Sequence, residues 1–187
     1  GEKIDQMLYI TIAITGLVFI ITQVLLFWFA FKYQERDDRR AFYFPHNNKL
    51  ELLWTTVPAI FLTVLVVFGL KFWFKITADA PQDALVVEVT GHQFGWEFRY
   101  PGTDGKLGKK NYKLYNTPSG NTLGVDFNDP ESHDDIHVAE MHVPVNRPVK
   151  LVIGAQDVIH DVGLSHFRLK MDAVPGIPTT MWFTPKY

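Results

Sequence analysis

The chain has 187 residues, a formal net charge of -2 and an aromatic content of 14%, with 15 Phe and 5 Trp. That length suits a membrane anchor plus one domain of about a hundred residues, and the near-neutral charge, with no dense basic cluster outside one short loop, argues against a nucleic-acid partner. There are no cysteines, so neither a disulfide nor a thiolate metal site can be built wholly within these residues.

Met7 to Phe31 runs for 25 residues without a charge. At about 1.5 Å per residue it exceeds a hydrocarbon core of about 30 Å, which predicts a tilted transmembrane helix. A cleaved signal peptide would have a shorter apolar core and a basic leader, whereas Glu2, Lys3 and Asp5 are mixed in sign. The start at Gly1 is expected to follow a removed leader or residues upstream. A second span is expected over about 52–74, with Pro58 near its start, Lys71 and Lys75 at its end, and Trp54, Phe72, Trp73 and Phe74 as interface anchors. Between the spans, about 32–50 holds Lys32, Arg36, Arg39, Arg40 and Lys49. That basic excess places the loop on the cytoplasmic side and both chain ends outside. Residues 1–76 are therefore expected to form a transmembrane helical hairpin. Glu51 stands at the cytoplasmic mouth of the second span. It is either an acid favouring the helix dipole or a carboxylate collecting protons for a pathway in a partner subunit. Its spacing to Trp54 puts both on one helical face.

Residues 77–83 read as a linker, and 84–187 change from continuous apolar to alternating texture. Ala84 to Thr90 predicts one strand; Gly91 to Tyr100 predicts a second, with Phe94, Trp96, Phe98 and Tyr100 on alternate positions. Thr103 to Asp135 is rich in Gly, Asn, Asp, Lys and Ser and predicts a long surface excursion with short strands. His133 and His137 within and beside it read as solvated histidines rather than ligands, because no tight His-x-x-His spacing supports them. Ile136 to Val143 and Pro148 to Ile153 predict further strands. Short strands at this spacing indicate a Greek-key sandwich or barrel. After the last of them comes Gly154 to Gly176, which holds an Asp157-x-x-His160 pair and a Lys170-x-Asp172-x-x-Pro175-Gly176 turn. A histidine just past an apolar run is well placed to be a metal ligand on a rigid sheet; the plainer possibility is a structural imidazole satisfied by Asp157.

Taken in order, Glu51-x-x-Trp54-x-x-x-Pro58, Gly91-His92-Gln93-x-x-Trp96, Asp157-Val158-x-His160 and Lys170-x-Asp172-Ala173-Val174-Pro175-Gly176 resemble subunit II of the haem-copper cytochrome c oxidases. The resemblance covers nearly the whole chain. It implies a cupredoxin-like Greek-key barrel behind a two-helix transmembrane hairpin, carrying a dinuclear copper centre (CuA) that takes electrons from cytochrome c and passes them to haem in subunit I. Oxygen reduction and proton pumping would lie there, with the haems and CuB. It implies proton uptake at Glu51, a copper ligand at His160, electron uptake at Trp96 and Phe94, and a contact with subunit I at Lys170 and Asp172. Asp157 and Gln93 would stand behind the ligand. Partners would be subunits I and III and a cytochrome c or tethered cytochrome, within a supercomplex with a quinol-oxidising complex. The location would be a bacterial inner membrane or equivalent energy-transducing membrane, with the β domain on the periplasmic side.

The chain departs from that family at two points. Its CuA site also needs two bridging cysteines, a second histidine and a methionine, and these are expected beyond Tyr187; Met171 and Met181 are misplaced for the thioether. A barrel ending at Tyr187 would leave a sheet edge open, which favours continuation over a copper-free relative of the quinol-oxidase kind. A metal-free subunit and a purely structural membrane-anchored β domain stay open as alternatives. At the second point, many members carry Trp where this chain has Phe94. Phe is harder to oxidise, so a different donor geometry is expected.

Overall fold

In the computed structural model, residues 1–38, 40 and 42–186 are described; Arg39, among the loop cations named above, and Tyr187 lie outside them. The chain divides into two compact units, Gly1–Ile76 and Thr77–Tyr187.

In the first unit, α1 spans Glu2–Lys32 and α2 spans Asn48–Ile76. Both run further than their apolar stretches, and the charged ends explain why. Glu2 and Asp5 lie in the first turn of α1 and Lys32 in its last, each at the end of the helix dipole that favours its sign. At the start of α2, the Asn47 side-chain oxygen accepts from the Leu50 N–H at 3.1 Å, a capping bond that satisfies one of the orphan donors. No residue of either helix is buried within the chain. The hydroxyls do not disturb this apolar surface: Thr11, Thr15, Thr22 and Thr63 each donate to a carbonyl one turn back, at 2.7 to 2.9 Å. Both helices are long and apolar enough to cross a membrane.

The second unit is all-β. Its strands are β1 (Leu85–His92), β2 (Gly95–Tyr100), β3 (Ile136–Val138), β4 (Val149–Ala155), β5 (His160–Leu164), β6 (Leu169–Ala173) and β7 (Thr179–Phe183). Five form one sheet in the order β3-β2-β1-β4-β7, and β5 and β6 form a separate hairpin. β1 runs parallel to β4, Val87 opposite Leu151, whereas the other pairs are antiparallel. Alternation along the strands sends Val87, Val89, Val149, Leu151, Ile153, Met181 and Phe183 of the large sheet to one face. There they close a core with Val162 and Ala173 of the hairpin. This two-sheet sandwich is the all-β architecture that the strand spacing predicts.

Three boundaries differ from expectation. The single strand expected over 91–100 is broken, because His92 pairs with Gly95 and leaves Gln93 and Phe94 as the turn between β1 and β2. The strand expected over 136–143 ends at Val138; beyond it the Tyr100 hydroxyl donates to the His142 carbonyl at 3.0 Å and accepts from the His142 N–H at 2.8 Å, holding the segment without a ladder. The excursion over 103–135 contains three short 3-10 turns and two isolated bridges in place of strands. It is also packed down, since Leu123 and Val125 are buried in it. At Gly108 a side chain would overlap Ser132, with its Cβ only 2.3 Å from that of Ser132.

Beneath the excursion lies a buried ion cluster that composition gave no sign of. Arg99 on β2 is 2% exposed. It donates to Glu88 at 2.6 Å, to Asp135 at 2.8 Å and to the Gly108 carbonyl at 2.9 Å. Lys110 adds a second cation 3.1 Å from Glu88. The cluster ties β1, β2 and the approach to β3 to the excursion.

Candidate functional site

One end of the large sheet gathers most of the residues singled out from the sequence. β1 enters the turn at Gln93, β4 leaves its strand at Ala155, and the connection to β5 carries Asp157 across to meet that turn. The Asp157 carboxylate is the hub. One oxygen accepts from the Gln93 N–H at 2.7 Å; the other lies 2.7 Å from both the Val158 N–H and Nε2 of His160. A carboxylate can only accept, so Nε2 carries the proton and Nδ1 stays outside this bond. The bond from His160, followed by those from Val158 and Gln93, holds the Asp157 carboxyl well below the usual carboxylate range. A histidine whose other nitrogen is oriented by a carboxylate is the arrangement that metal sites use to fix a ligand ring.

Trp96, the second residue of β2, meets His160 edge to face, with ring centroids 5.7 Å apart and planes at 69°. Phe94, at the turn, is 99% exposed, so a side chain expected on a strand face stands out in solvent. Val158 and Ile159 are also exposed and give this end of the domain an apolar rim.

Lys170 and Asp172 lie along β6, below His160 in the hairpin register, where His160 pairs with Ala173 and Asp161 with Asp172. Lys170 does not pair with Asp172. Its Nζ is 2.7 Å from Asp161, and that hydrogen bond raises its pKa. Both partners are substantially exposed, so solvent screens the pair and it adds little to stability. The Asp172 carbonyl accepts from the Thr179 hydroxyl at 2.7 Å, which fastens the Pro175-Gly176 turn. Glu51 lies in the first turn of α2, in the other unit. His133 is engaged through Nε2 with the Phe127 carbonyl at 2.8 Å.

The donor set decides how far a copper centre fits. His160 offers one oriented imidazole. Met181 is buried in the core and Met171 packs against it, the sequence has no cysteine, and among the described residues no three His, Cys, Asp or Glu side chains converge. A dinuclear copper centre needs soft thiolate donors. His160 alone among the residues expected to bind the metal offers a donor here, and the described residues do not complete such a centre.

Gly91 carried no role of its own in the sequence reading, yet its Cα faces both Trp96 and His160. A glycine inside a strand pattern was the available signal.

Comparison with known proteins follows the same division of the chain. The family described as cytochrome C oxidase subunit II, transmembrane domain, matches residues 2–72, and that described as cytochrome C oxidase subunit II, periplasmic domain, matches residues 85–186. The alternative cytochrome c oxidase subunit 2 of Bradyrhizobium diazoefficiens is 35% identical over 97% of this chain and 65% of its own length. Cytochrome c oxidase subunit 2 of Cereibacter sphaeroides is 29% identical over 94% of this chain and 60% of its own. The chain thus spans less than two thirds of either relative. A crystal structure of the periplasmic domain of subunit II of cytochrome oxidase of Bradyrhizobium japonicum aligns at 29% identity and a TM-score of 0.38, covering 58% of this chain and 69% of that one.

Proposed function

The chain belongs to the cytochrome c oxidase subunit II family, and on that premise we propose that it is the membrane-anchored electron-transfer subunit of a respiratory terminal oxidase. An electron leaves a ferrous haem of cytochrome c, or of a tethered cytochrome, at the outer face of the β domain. It arrives on a ferric haem of subunit I, where oxygen is reduced to water with proton pumping. Phe94 and the apolar rim receive the donor, Trp96 stands on the route inward, and Lys170 and Asp172 face subunit I. Glu51 collects protons on the opposite, cytoplasmic side. Subunit III and a quinol-oxidising complex are the further partners of this reading, and its location is a bacterial inner or equivalent energy-transducing membrane with the β domain in the periplasm.

One observation carries the reading: Asp157 orients His160 and ties it to the turn that bears Phe94, with Trp96 in ring contact. In the copper version, His160 would be one ligand of CuA, and the thiolates would have to come from outside these 187 residues, which hold no cysteine. A second reading, a metal-free subunit II, is favoured by the closed Asp157–His160 bond, which a purely structural imidazole would make equally well. Copper counting and near-infrared absorption on the purified membrane complex test the choice. The copper reading expects a copper content above that of subunit I alone and a band lost in a His160→Ala complex. An unchanged band overturns it.

A further inference from the structure

Strand β1 carries a glycine where any side chain would collide. A Cβ on Gly91 would lie 2.9 Å from Cζ3 of Trp96, 3.0 Å from Cγ of His160 and 3.1 Å from Cβ of His160. The backbone has nowhere to retreat. Gly91 pairs with Trp96 on one side and Ala155 on the other, and its carbonyl accepts from the Gln156 N–H at 2.9 Å. Its φ lies outside the left-handed region, so this position needs glycine for space and not for conformational freedom. Nor is His160 free to yield, because its ring is bonded to Asp157, which is itself bonded to the turn. The nearest atom belongs to Trp96, so the indole is the group that a side chain at 91 would displace.

We propose that Gly91 is a positioning residue: its missing side chain lets the Trp96 indole rest against His160, and that ring contact is the path by which electrons cross from the outer turn into the domain. This rests on the electron-transfer reading above. The electron comes from a ferrous c-type haem, which becomes ferric, and ends on a ferric haem of the partner subunit. Neither ring keeps the charge, and no bond forms or breaks. Phe94, which is almost fully exposed, then serves donor docking, while Trp96 serves conduction.

The test compares Gly91→Ala with Gly154→Ala, a substitution on the neighbouring strand that meets nothing within 4 Å. The first readout is the ring resonance of ring-labelled His160 in the full chain in lipid nanodiscs, assigned with His160→Gln. Trp96→Leu marks its position without the indole. Gly91→Ala is expected to move the resonance towards the Trp96→Leu position, and Gly154→Ala to leave it in place. The second readout is the rate of haem reduction by ferrocytochrome c in the assembled complex. It should fall several-fold in Gly91→Ala, and adding Gly91→Ala to Trp96→Phe should cost less than adding it to the wild type. An unmoved resonance in Gly91→Ala overturns the positioning role. A moved resonance with an unchanged rate overturns the conduction role. If Gly91→Ala does not fold, Trp96→Leu decides conduction, since it removes atoms and must still slow reduction. A wild-type complex that takes no electrons from ferrocytochrome c defeats the broader reading, and the resonance still judges Gly91.

Discussion

The two units of this chain spend their apolar residues in opposite ways. α1 and α2 are apolar along most of their length and bury nothing within the chain; the β unit closes a core of nine buried side chains. The first surface has no covering within the chain, so a single residue on it does little for the fold of the β unit. In the second, inward side chains from β1, β4, β5, β6 and β7 close on one another. Substitutions should therefore separate sharply by unit.

The largest effect is expected at Arg99. Arg99→Ala leaves the Asp135 carboxylate, whose side chain is fully buried, without its cation, takes from Glu88 one of the two cations beside it, and should destabilise the β unit by about 3–5 kcal/mol. Thermal unfolding of the detergent-solubilised chain, followed by tryptophan fluorescence, measures it; a loss below about 1 kcal/mol would mean that the cluster is solvated. Leu151→Ala in β4 should cost about 2–5 kcal/mol by leaving a cavity in the core beside Val87 and Met181, its neighbours in the ladder. A smaller effect concerns His137, whose pKa is lowered first by the partial burial of its ring and then by the Arg99 charge. A depressed imidazole contributes stability that is present above its unfolded value, about 6.5, and is lost as pH falls towards the folded value. The melting temperature should accordingly drop between about pH 8 and about pH 5, and His137→Gln should flatten that part of the profile; an identical slope in the variant refutes the assignment. Least of all, Leu62→Ala on exposed α2 should change β-unit stability by no more than about 0.5 kcal/mol. A larger loss would break the contrast between the units.

Legibility follows the same contrast. The two long apolar helices were readable because length and lack of charge mark them, whereas the helix ends, which Glu2 and the Asn47 cap carry beyond the apolar stretches, are set by charge and capping that hydropathy does not register. The aromatic alternation of Trp96, Phe98 and Tyr100 marked an inward face correctly, yet the same period placed Phe94 on the strand when it belongs to the turn. Periodicity does not reveal where a strand reverses. The Arg99 cluster was hidden because its members lie far apart in sequence and each resembles an ordinary surface charge. Asp157 was legible beside His160 from the Asp-x-x-His spacing, and Gln93 only through family likeness. What no pattern revealed is that one carboxylate holds both, and that Gly91 leaves room for the ring contact next to them.

The central claim is that the end of the sheet bearing Asp157, His160 and Trp96 carries electrons into the complex. It is tested most directly by stopped-flow reduction of subunit I haem by ferrocytochrome c, in assembled oxidase carrying His160→Ala. The account predicts that the variant chain still inserts and assembles through its spans while haem reduction by the external donor collapses. Wild-type reduction kinetics in that complex would contradict it.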